Sequence, residues 1–60
     1  MSNSTEAHIR LAESRRRLAI DSLASNASNS LRAPLTGQQI ATLEEEIIAC
    51  DAELVILRNA

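Results

Sequence analysis

The sequence predicts an all-α protein: an antiparallel hairpin of two helices that dimerises into a four-helix bundle or coiled-coil-like assembly. Three observations carry this. The first is the 3-4-3-4-3 spacing of Ile40, Leu43, Ile47, Cys50, Leu54 and Leu57, the signature of an apolar helical stripe. The second is the punctuation. The chain has one Pro and one Gly, and they stand three residues apart at Pro34 and Gly37, so the chain is interrupted once, near its middle. The third is composition. There is no Phe, Tyr or Trp, and the helix formers Ala, Leu, Glu, Arg and Gln dominate both halves. A core of Leu, Ile, Val and Ala suits helix packing better than a sheet, where aromatic and β-branched residues are favoured.

Helix 1 is expected over about residues 5–30, as part of a single domain covering 1–60. It begins near Ser4 or Thr5, and Glu6 suits the positive dipole end of the first turn. Its broad apolar face holds Ile9, Ala12, Ala19, Ile20, Leu23, Ala24, Ala27 and Leu31. Ser and Asn crowd residues 22–31 and weaken a helix there; the competing reading of residues 25–35 is a polar linker. A turn over about 31–36 follows, because Pro34 disfavours helical geometry at Ala33.

Helix 2 is expected over about 37–58. Thr36 with Gln39 forms a capping box, and Leu35 with Ile40 is placed for a hydrophobic staple. The seam comprises Ile40, Leu43, Ile47, Cys50, Leu54 and Leu57, joined by a second row of Ala41, Ile48 and Val55. Helix 1 has its own second row, Ala7, Leu11 and Leu18. A two-helix hairpin leaves these rows wet. A chain of 60 residues buries only about 60% of its unfolded surface and needs a staple. One Cys and one His supply neither a disulfide nor a metal site within one chain, which leaves self-association or docking onto another protein.

Charge divides unevenly around a net −2. Residues 1–32 carry five Arg against three acids, a net +2, and residues 33–60 carry one Arg against five acids, a net −4. The halves attract. "ESRRRLA", residues 13–19, is the sharpest local feature. Arg16 falls in the middle of the apolar face and must snorkel or find a carboxylate, with Asp51 and Glu53 as candidates. Arg10, Arg15 and Arg17, with Leu11 and Leu18, form the expected partner-binding surface, since the planar guanidinium suits acidic protein surfaces and phosphates. The acids of "LEEEIIACDAE" splay around helix 2 and read as solvated flanks that set register.

Catalysis has no visible machinery. His8 and Cys50 are expected far apart, so no nucleophile–base pair forms, and Cys50 reads as a small apolar seam residue. No Gly-rich phosphate loop and no Glu-x-x-His motif are present. No cofactor and no metal are therefore expected. The start of the chain lacks an apolar core of signal-peptide length, and no run of eighteen apolar residues exists, so a cytoplasmic protein without membrane association is expected. The function these features suggest is a small non-catalytic regulatory or adaptor protein that binds and inhibits another protein through a helix face, in the style of a short phage-encoded protein. The alternatives are a nucleic-acid or small anionic-ligand binder using the Arg cluster, and a structural oligomerisation module. Against nucleic acid stand the negative total charge and the absence of Lys and of aromatics that stack bases.

Overall fold

The computed structural model describes residues 3–59. Met1, Ser2 and Ala60, included in the expected 1–60 domain, lie outside them. Two helices, α1 (Asn3–Ala27) and α2 (Gly37–Arg58), pack against each other as a hairpin. The molecule is a rod of 44 × 16 × 12 Å.

The start of α2 is specified locally. Thr36 has extended backbone and its side chain accepts from the Gln39 N–H at 3.1 Å, while the Gln39 side chain accepts from the Thr36 N–H at 2.9 Å. Both halves of the capping box are made, satisfying two of the donors a helix start otherwise leaves open.

Helix α1 stops at Ala27, three residues before the expected end. Its terminus is a Schellman motif. Asn29 adopts the left-handed conformation at φ 59°. Its N–H donates to the Asn26 carbonyl, and the Ser30 N–H donates to the Ser25 carbonyl, the paired closing bonds of that motif. The Asn26 side chain then accepts from the Leu35 N–H at 2.9 Å. That bond ties the end of α1 to the residue preceding the α2 cap. The Ser/Asn-rich stretch is thus divided: residues to Ala27 stay helical, and those after it turn the chain.

The interior is thin. Ala12 and Ala19 from α1, with Cys50 and Leu54 from α2, are the buried residues. Ile9, Leu23, Ile40, Leu43, Ile47 and Leu57 are half-buried around them. The helix 1 face is narrower than its sequence suggests. Ala24 and Ala27, expected on it, are exposed, because the inward stripe follows Ile9, Ala12, Arg16, Ala19, Leu23 and Asn26, a 3-4-3-4-3 course matching that of α2. Arg16 occupies a seam position on this course. The small side chains at Ala12 and Ala19 let the helices approach closely on either side of it.

Candidate interaction surfaces

Among the described residues three ion pairs brace the hairpin, two on one flat face and one on the other. Arg15 grips Glu46 with two nitrogens, Nε at 3.3 Å and Nη2 at 3.1 Å. The hydrogen bond to Glu46, and then its charge, hold the Arg15 guanidinium above its ordinary pKa. On the opposite face Arg16 bonds Asp51, and Arg58 bonds Glu13. Asp51 is the first of the two carboxylates the sequence offered for Arg16. The Glu13–Arg58 and Arg15–Glu46 pairs were not foreseen; the only hint was the opposite net charge of the two halves. All three pairs are well exposed.

The second apolar rows lie on these two faces. Leu18 borders a shallow depression with Arg15, Ser22, Leu43 and Glu46. Leu11 stands seven residues before Leu18, in the same row. On the other face a groove runs between Arg16, Arg17 and Ile20 of α1 and Asp51, Leu54 and Arg58 of α2. Ile48 and Val55 stand three residues before and four after Asp51, hence beside it. Leu11 is 55% exposed, Leu18 67%, Ile48 68% and Val55 60%, and Ile56, on the outer side of α2, reaches 70%.

The structure therefore divides the residues expected to share one contact surface. Leu11, Arg15 and Leu18 lie together. Arg10 and Arg17 lie on the adjoining flank of α1, bordering a shallow depression with Glu13 and Ser14. Arg15 is engaged by Glu46, whereas neither Arg10 nor Arg17 has a carboxylate in salt-bridge range among the described residues. Of the expected seam of α2, Cys50 and Leu54 are buried, and Ile40, Leu43, Ile47 and Leu57 are half-buried. Ile48 and Val55 face solvent. Ile56 is an exposed apolar residue that the seven-residue spacing of Ile48 and Val55 did not single out.

Cys50 is a free, buried thiol. Among the described residues no group of His, Cys, Asp or Glu is placed to hold a metal ion, and no helix is long and apolar enough to cross a membrane. No protein-family model, curated protein or solved structure matches this chain.

Proposed function

We propose that this chain is a small non-catalytic adaptor or regulator that self-associates as a four-helix bundle and inhibits another protein by covering one of its surfaces. The observation that carries the reading is the pair Leu11 and Leu18, seven residues apart on α1 and each more than half exposed. Burying one such side chain is worth about 1.5–3 kcal/mol, so the pair offers a partner several kcal/mol in one helix-in-groove contact. The unpaired Arg10 on the next flank supplies donors for an acidic rim on that partner. Arg15, held by Glu46, stiffens the row rather than reaching outward. We place the protein in the cytoplasm, where a buried free thiol at Cys50 stays reduced.

The test is a capture experiment with the full chain and its Leu11→Asp/Leu18→Asp variant in extracts of the natural host. Both substituted positions are exposed, so the variant should keep its helical circular dichroism. The reading requires a protein retained by the unaltered chain and lost by the variant, whose own activity falls when the purified chain is added. Equal retention by both forms, or a captured protein whose activity does not change, rejects it. Recovery of nucleic acid instead would favour the Arg-cluster alternative.

A further inference from the structure

We propose that the second copy seats on the face that carries the groove, where Ile20, Ile48 and Val55 are exposed, with the two-fold axis running along the helices, which leaves Leu11 and Leu18 free for a different protein. This deepens the bundle reading above and rests on it.

Surface area is the first argument. The chain exposes 4600 Å². A compact monomer of 6.5 kDa exposes about 3,800 Å² by the general scaling of folded proteins. The excess of about 800 Å² is what each partner contributes to a stable interface of ordinary size. The radius of gyration agrees: 13.7 Å against about 10.4 Å for a globule of this length.

The distribution of apolar groups decides the face. On the Leu11–Leu18 side the large exposed apolar residues both belong to α1, and α2 adds the half-buried Leu43 with Thr42, Glu46 and Glu53. On the groove side both helices contribute exposed apolar residues: Ile20 of α1 lines the groove with Leu54, and Ile48 and Val55 of α2 stand beside Asp51 at its edge. A two-helix layer can cover that face along both of its helices, as a bundle requires.

Charge sets the arrangement. Within the helices, α1 carries four Arg against three acids, a net +1, and α2 carries one Arg against five acids, a net −4. Stacking α2 on α2 of the second copy would oppose two strongly negative helices. An axis along the helices instead sets each α1 on the other copy's α2, and brings the unpaired Arg17 to an acidic helix. It also keeps levels matched. Arg16 bonds Asp51 within one hairpin, so Ile20, one turn further along α1, lies near the level of Ile48 and meets Ile48 of the second copy.

Sedimentation of the full chain, with circular dichroism as the folding control, tests this. The unaltered protein should be a dimer, Ile48→Arg/Val55→Arg a helical monomer, and Leu11→Arg/Leu18→Arg still a dimer. Should the arginine variant at 48 and 55 lose its helicity, Ile48→Ala/Val55→Ala replaces it, with a dimer dissociation constant raised on the order of 100-fold. An unchanged dimer in the 48/55 variants, or a monomer from the 11/18 variant, overturns the face assignment and leaves dimerisation standing. A monomeric unaltered protein overturns both.

Discussion

Replacing Arg16 by Leu should stabilise the protein, although it destroys an ion pair. Arg16 stands at a seam position of α1, between the buried Ala12 and Ala19, and its side chain is 41% exposed. A Leu there would have somewhat more than half its side chain covered, contributing about 1–2 kcal/mol. Part of that gain is already realised by the methylenes of Arg16, which lie along the seam while the guanidinium reaches out to Asp51. The pair itself is a solvent-exposed one, worth about 0–1 kcal/mol. Asp51 without its partner stays hydrated, since its side chain is 52% exposed. The net expectation for Arg16→Leu is a gain of about 1 kcal/mol, or roughly 4–8 °C in melting temperature for a chain of this size. Urea unfolding followed at the helical circular dichroism band, at a fixed protomer concentration, measures it. A loss of about 1 kcal/mol or more would show that the guanidinium contributes more than an apolar side chain at that level, and the reasoning fails. If the gain is found, the charge serves register instead of stability: only one stagger of the helices sets Arg16 against Asp51.

Thr36→Ala should cost about 1 kcal/mol by opening the capping box, read from the same unfolding curves; a neutral result would mean that the start of α2 frays without consequence. At Asn29, with φ 59°, Asn29→Ala should be less stable than Asn29→Gly by about 1 kcal/mol, because the left-handed backbone penalises a Cβ without a compensating polar group. Equal melting temperatures for the two variants would remove the Schellman motif as the stop signal of α1.

The parts of the fold legible in the sequence are those fixed by nearest neighbours. Thr36 and Gln39 mark the start of α2 because a capping box is satisfied within four residues. The spacing from Ile40 to Leu57 marks its inner face for the same local reason. The end of α1 was not legible to the residue. Ser25, Asn26, Ser28 and Asn29 all compete for backbone partners, and the choice of Asn29 for the left-handed position is completed by the bond from Leu35 to Asn26, nine residues apart. The candidate surfaces were legible as rows and illegible as faces. Periodicity separates Leu11 and Leu18 from the inward stripe, yet it does not say that Ile48 and Val55 emerge on the opposite flat side. That follows from how the two helices are rotated against each other, which Arg15–Glu46 and Arg16–Asp51 record.

Ala12 and Ala19 also set a mechanical limit. With a single methyl group at each of these buried levels, the two rods meet there without a large side chain between them. A bulkier side chain at either would prise the rods apart like a wedge, at a typical cost of 1–3 kcal/mol. The arginine clasps on both flanks, cut to the present gap, would then be stretched together. The gauge of the whole hairpin is therefore held by its two smallest inward-pointing side chains.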